Sequence, residues 1–384
     1  MKKRIVTVML TYSYQMHLTK DPCSYLYYLA KKFGWESTYV YFSDAPLHHA
    51  EYEAHCRLIY LGAEQDYEKE IELAGAWLTA HAKEYDVVSF FNYGHSTYYL
   101  SRIAHHSHPG IVTWSKLDMG EGGFSHFYDG TRLRSIKAAI EVWKSRHVDL
   151  FSVETRHFYE CLKQTATFRG RIEYVTNGVS LLGVDLEKLD AMPKDGSILT
   201  IGRLGTHQKN TELFLGAVEA LGPEILQGRR VICVGGYPEE WKQFLQELFA
   251  RSPWMREIVQ MVGPVSDRQE MYAYCTRASI ICMPSRWESF GIATVEGMYF
   301  GAYPVVTEYG SIVQDVTDGG RLGTIVQGPE PTIEAFADGI REGLRRSTPE
   351  MGERVRAFAR ERFNYSVLSR QLDAILQHRM AQKS

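Results

Sequence analysis

The sequence predicts an α/β protein built as two doubly wound domains, each a parallel sheet wrapped by helices. Short β-branched and aromatic runs alternate with longer segments of helical period along the whole chain, the pattern of βαβ units. The alternation falls into two similar series separated by a seam of weak periodicity. The length, 384 residues, corresponds to about 2.6 domains at a prior of about 150 residues each, which favours two.

In the first series the strands are expected at Arg4–Leu10, Ser37–Phe42, Arg57–Leu61, Asp86–Phe91, Ile111–Trp114, Leu150–Val153 and Ile172–Val175. A helix should start at Asp21-Pro22, with Asp as its cap and Pro in its first turn, and stop at Phe33-Gly34. The seam is Thr176–Asp195, which ends in a Pro-Lys-Asp-Gly turn. In the second series the strands are expected at Ser197–Ile201, Arg230–Val234, Ile258–Val262, Ser279–Met283, Tyr303–Val306 and Thr324–Val326. The chain then reads helical to its end. The expected organisation is a first domain over 1–177, a linker over 178–195, a second domain over 196–362, and a last helix over 363–384 that crosses back to the first domain.

Composition narrows the function. Hydrophobic residues make up 45% and charged residues 23%, an ordinary globular mix. The net charge of −3 lacks the basic surplus that phosphate-backbone binding needs, so nucleic acid is not an expected partner. Six cysteines are scattered without a Cys-x-x-Cys pair, which suggests reduced thiols and neither a zinc site nor a disulfide framework. The apolar run after the basic start MKKR is too short for a signal peptide and reads as a strand. No uncharged apolar run reaches the ~18 residues of a membrane span.

The strongest local signal follows the apolar run Ser279–Met283: Pro284-Ser285-Arg286-Trp287-Glu288-Ser289-Phe290-Gly291-Ile292, continuing to Glu296. A strand, a loop of small and polar residues and then a helix aim backbone N–H groups at an anion, and Ser289, Phe290 and Gly291 are the natural donors. Glu288 in the loop and Glu296 in the helix would bring two carboxylates to one pocket. Alone, two glutamates eight apart would be read as a helix cap and a solvated residue. A second signal, Gly202-Arg203-Leu204-Gly205-Thr206-His207-Gln208-Lys209-Asn210, offers a guanidinium fork and an ammonium at the edge of the same sheet, which suits a diphosphate.

The order GRL-x4-KN, then PS-x2-ESFG closing on Glu296, then GAYPVVTEYGSIVQDV, with VTNGV at 175–179, resembles the retaining glycosyltransferases of family four, the glycosyl transferases group 1. The resemblance is specific over Val175–Thr317. It implies the GT-B fold, two Rossmann-like domains facing across a cleft, and transfer of a sugar from a nucleoside diphosphate to an acceptor hydroxyl with retention. It also implies that Arg203 and Lys209 neutralise the leaving diphosphate and that Glu288 contacts the transferred sugar. Glu296 would hold the donor ribose, and Gly202, Val265 and Ser289 to Ile292 would complete the donor site. No cofactor or metal is implied, and the sequence contains no Asp-x-Asp triplet. The adjacent histidines His48-His49 and His105-His106-Ser107-His108 read as solvated loop residues.

Two positions depart from the family pattern. Where many relatives carry a glycine-rich loop after the first strand, this chain has Thr11-Tyr12-Ser13-Tyr14-Gln15. Where many carry a histidine after the fifth strand, it has Lys116-Leu117-Asp118-Met119-Gly120. Asp118 is therefore the candidate for the acceptor-side role, with Lys116, His95, His126 and Tyr12 beside it; the alternative for Asp118 is a turn or cap residue. The stretch 118–130 reads as an acceptor loop. Of 24 tyrosines, 15 lie in the first 130 residues, suited either to stacking sugars or to a core. The segment Arg132–Lys144 puts Leu133, Ile136, Ile140 and Trp143 on one helical face, expected to pack on the core, with a membrane surface as the alternative.

A nucleotide-sugar donor and a carbohydrate or glycolipid acceptor are the expected partners, in a protein expected in the cytoplasm, with the inner face of the membrane as a further option, during surface polysaccharide or glycolipid assembly. A dehydrogenase would need Gly-x-Gly-x-x-Gly after a strand, which is lacking. A sugar phosphorylase, a nucleotide-sugar epimerase and a non-catalytic nucleotide-sugar binder remain as alternatives on this architecture.

Overall fold

The computed structural model describes residues 2–10, 12–120, 122–125, 136–328 and 330–383, with only the backbone of Lys137 and Ala138. The chain forms two compact units. One comprises Met1–Leu182 with Asn364–Ser384, and the other Gly183–Phe363.

The first unit is a seven-stranded sheet of β1 (Arg4–Val8), β2 (Glu36–Tyr41), β3 (Cys56–Tyr60), β4 (Val87–Phe91), β5 (Val112–Lys116), β6 (Leu150–Val153) and β7 (Ile172–Tyr174). Their order is β3-β2-β1-β4-β5-β6-β7, all parallel. Helices α1 (Cys23–Phe33), α2 (Tyr67–His81), α3 (His95–Ser107), α4 (Ile136–Ser145) and α5 (Arg156–Leu162) fill the crossovers. Central strands of such a sheet are covered on both faces, which is why β5 is buried throughout while edge strand β3 carries Arg57 outward.

The second unit orders β8 (Ser197–Ile201), β9 (Val231–Val234), β10 (Val259–Gly263), β11 (Ala278–Met283), β12 (Tyr303–Thr307) and β13 (Thr324–Val326) as β10-β9-β8-β11-β12-β13, again all parallel. Around it lie α6 (Thr211–Leu226), α7 (Trp241–Arg251), α8 (Arg268–Arg277), α9 (Ile292–Tyr299), α10 (Ile333–Arg346) and α11 (Pro349–Arg362). Every strand expected from the sequence is present, with ends shifted by no more than two residues. The last helix, α12 (Tyr365–Ala381), buries Tyr365, Leu368, Leu372 and Leu376 with Tyr25, Leu26 and Leu29 in the core of the first unit. The stretch 178–195, expected as linker, is divided: Val179 and Leu182 are buried in the first unit, and Gly183 opens the second.

Three local expectations are corrected. Asp21 does not cap α1, whose preceding residue is Pro22; instead it turns inward and meets the Lys116 ammonium at 2.7 Å. The apolar face of α4 is not core-facing, for Ile136, Ile140 and Trp143 are 82%, 46% and 51% exposed. Leu133 and the other residues of 126–135 lie outside the described residues. His105 and His106 belong to the last turn of α3, where the His105 ring lies 3.2 Å from Asp149.

Candidate functional site

In an open α/β sheet, ligands bind outside the carboxyl ends of the strands where the strand order reverses. In the second unit that point lies between β8 and β11, and the loops following these two strands carry both sequence signals. The loops are stitched together. The Arg286 N–H donates to the Gln208 carbonyl at 2.9 Å, the Arg286 guanidinium reaches the His207 carbonyl at 2.7 Å, and the Gln208 amide reaches the Trp287 carbonyl at 3.1 Å.

Across this seam the Lys209 ammonium lies 2.5 Å from Glu288 Oε1, with side chains 15% and 9% exposed. Ser285 Oγ donates to the same oxygen at 2.6 Å. Glu288 is thus oriented by two donors while its other oxygen stays available. Arg203 is exposed, and its guanidinium is held by Gln208 Oε1 at 2.5 Å, so both cations sit on one loop.

Gly202 leads into that loop, and the Lys209 side chain crosses it so closely that a β-carbon there would lie 3.2 Å from the lysine stem. Its neighbour Gly235 (φ +140°) packs so tightly that a β-carbon would stand 1.7 Å from the Gly202 carbonyl oxygen, a position only glycine can fill.

Gly291 (φ +75°) turns the chain into α9, and a β-carbon there would meet Tyr309 Oη at 2.6 Å. Among the described residues, no hydrogen bond is donated by the backbone amides of Ser289, Phe290, Gly291 or Ile292, which are the open donors of a helix start. The Phe290 ring is buried edge-on to Phe363 at 5.9 Å, which fixes the loop from below. Glu296 is 5% exposed in α9 and is paired with Arg268 of α8 at 2.6 Å. Val265 is half-buried in the loop between β10 and α8. Sequence reasoning missed Arg268, Ser285, Gln208 and Gly235. Only the Asp267 cap of α8 gave any local sign of Arg268's helix.

In the first unit two of the acceptor-side candidates, Lys116 and Asp118, lie close enough to interact. Lys116 is not at the surface: it is 1% exposed at the end of β5, 2.7 Å from Asp21 and 3.3 Å from Glu154. Burial opposes its charge, but Asp21 and then Glu154 outweigh that and hold its pKa above the ordinary range. Glu154 also accepts from the Asn177 amide of the VTNGV segment. Burial pushes both carboxyls up against the pull of Lys116, the expected result for two buried acids sharing one cation.

Asp118 is exposed, with its N–H donated to Asn92 Oδ1 at 2.8 Å. His95 is exposed at the first turn of α3. Tyr12 is half-buried and donates to Asp44 at 2.5 Å, while His126 lies outside the described residues. Among the described residues no group of three or more His, Cys, Asp or Glu side chains is placed to hold a metal ion, and no helix is long and apolar enough to cross a membrane.

Residues 195–346 match the family described as glycosyl transferases group 1. A D-inositol 3-phosphate glycosyltransferase of Streptomyces scabiei is 30% identical over 202 residues, covering 46% of this chain and 42% of that protein. The chain spans less than half the length of the curated relatives it matches. Among solved structures, a sucrose-phosphate synthase from Thermosynechococcus elongatus superposes with a TM-score of 0.71 at 17% identity, over 99% of this chain and 100% of that one. Anabaena HepE, solved in complex with UDP and glucose, superposes with a TM-score of 0.65 at 15% identity, over 98% of this chain and 100% of that one. The fold is that of GT-B proteins.

Proposed function

We propose that the protein, whose residues 195–346 match the family described as glycosyl transferases group 1, is a retaining glycosyltransferase that moves a sugar from a nucleoside diphosphate to an acceptor hydroxyl. The observation that carries this reading is the Lys209–Glu288 pair at the β8/β11 switch point, beside Arg203 and the open amides of Ser289 to Ile292. Arg203 and Lys209 face the diphosphate and supply the positive charge that a divalent metal would otherwise bring. Glu288 accepts from hydroxyls of the transferred sugar, and Glu296 from the donor ribose, with Arg268 fixing its carboxylate. Gly202 and Val265 line the donor site.

The bond from the anomeric carbon to the β-phosphate oxygen breaks, and the acceptor oxygen bonds the same face of that carbon. The acceptor proton passes to the departing phosphate oxygen. Charge growing on that oxygen meets cations and amide dipoles already in place, so their interaction strengthens toward the transition state. Asp118 orients the acceptor hydroxyl. The acceptor is a carbohydrate or glycolipid of surface polysaccharide or glycolipid assembly, met at the inner face of the membrane, with contact made through the exposed Ile136, Ile140 and Trp143 of α4.

The test is transfer from UDP-, GDP- and ADP-sugars to a panel of glycoside acceptors in the presence of a chelator, with the product anomer read by NMR. Retention of configuration is expected, and Glu288→Ala should lower turnover by a factor of about 10²–10³. An inverted product, a strict phosphate requirement or undiminished turnover in Glu288→Ala contradicts the reading; melting curves establish that the variant is folded.

A further inference from the structure

The first unit holds a pocket of about 440 Å³ that none of the donor chemistry uses. It opens at the carboxyl edge of the sheet, between the loop after β1, the loop after β2 and the start of α2, and is lined by Tyr12, Tyr14, Asp44, Gln65, Tyr67 and Glu70. Its size falls within the range of small-molecule sites. The Tyr14 and Tyr67 rings are 56% and 52% exposed, large aromatic surfaces left uncovered at the mouth. Tyr12 stands edge-on to Tyr14 at 5.9 Å and is pinned by its hydrogen bond to Asp44 at 2.5 Å.

Glu70 supplies the independent observation. It is 3% exposed and lines the pocket, and among the described residues its carboxyl makes no hydrogen bond or ion pair, while its backbone N–H donates to the Asp66 carbonyl at 2.9 Å. A carboxyl largely withdrawn from water is normally paired, and the Glu70 carboxyl meets its surroundings at the pocket wall, where a hydroxyl group can pair with it.

We propose that this pocket binds an uncharged pyranose ring, with its C–H face on Tyr14 and Tyr67 and its hydroxyls on Glu70 and Asp44. Aromatic faces take the apolar side of a sugar, and carboxyl groups take its hydroxyl edge. Charge selects against other ligands. The lining holds Asp44 and no lysine or arginine to balance an anion, so phosphates and uronates are disfavoured. Burial, with Glu64 adding to it, pushes the Glu70 carboxyl up to about 7. A carboxyl that keeps its proton near neutrality both donates to and accepts from a hydroxyl, which suits a neutral sugar better than an ammonium group. The glycine-free sequence after β1 then has a role, since Tyr12 and Tyr14 replace a phosphate-cradling loop with a stacking platform. Binding of the ring does not depend on the transferase reading; that the ring belongs to the acceptor rests on it.

Saturation-transfer NMR on the full chain tests the proposal with the methyl glycosides of glucose, galactose and mannose and with methyl glucuronide and galacturonide. At least one neutral glycoside should receive saturation on its ring C–H protons, the uronates none, and Tyr67→Ala and Glu70→Ala should each weaken binding tenfold or more. Tyr67 is half exposed, so its variant remains informative if Glu70→Ala fails to fold. Silence from all neutral glycosides, equal signals from uronates, or unchanged binding in Tyr67→Ala overturns the proposal. Nucleoside diphosphate binding measured in parallel keeps the two ideas separable: nucleotide binding without sugar binding refutes the pocket alone, and sugar binding without nucleotide binding refutes the donor-site reading alone.

Discussion

Two buried charge clusters in the first unit behave differently because one contains a cation and the other does not. Lys116 lies between Asp21 and Glu154 and is held charged by them, whereas Glu70 has no opposite charge beside it. For Glu70 the folded pKa of about 7 exceeds an unfolded value of about 4.3, so the folded state holds the proton more tightly. Its contribution to stability is therefore full below pH ~4.3 and is lost as pH rises through about 7. Glu70→Gln, which keeps the shape and removes the titration, should leave the melting temperature nearly unchanged at pH 4 and raise it at pH 8. A rise of equal size at both values would show that the group is not desolvated in the folded state.

Neither cluster was legible in the sequence. The partners of Lys116 lie 95 and 38 positions away, and Glu70 sits in YEKEIELAG, which reads locally as a solvated helix. The same holds in the second unit. The cation and anion of the Lys209–Glu288 pair were each singled out from their own loops, yet Arg268, which holds Glu296, carried no signal at its position.

At the scale of elements the sequence was far more informative, because strand and helix periodicity are local while pairing is not. The thirteen strands among the described residues announce themselves through runs such as Ser279–Met283 and Tyr303–Val306, and the stops between them through Gly and Pro. Periodicity identifies an apolar helical face but says nothing of what covers it. That is why α4 was expected on the core while the structure leaves Ile136, Ile140 and Trp143 open.

The proposed membrane contact is supported by an exposed apolar stripe on a helix whose sequence neighbourhood, 132–147, contains five Lys and Arg against one acidic residue. Sedimentation with vesicles should show binding to anionic but not to neutral lipid, weakened by salt. Ile140→Asp with Trp143→Asp should abolish it. Equal sedimentation of that double variant would assign the contact elsewhere.

For the molecule as a whole, the two proposed sites each lie at the carboxyl edge of their own sheet: the donor site at the β8/β11 strand-order reversal of the second unit, and the sugar pocket of the first unit beside the loops that follow β1 and β2. The second unit is one unbroken stretch, Gly183–Phe363, and contains every residue of the donor-site reading; the first is completed only when α12 returns to it. The central claim is that Arg203 and Lys209 bind a diphosphate.

Its most direct test is calorimetric titration of the full chain with UDP, GDP and ADP in the presence of a chelator, for the wild type and Lys209→Ala. One nucleoside diphosphate should bind the wild type. Lys209→Ala should weaken that binding by about tenfold to a hundredfold, since it removes a charged donor and leaves Glu288 facing the phosphates unpaired. Binding of none of the three, or binding undiminished in Lys209→Ala, would contradict the account.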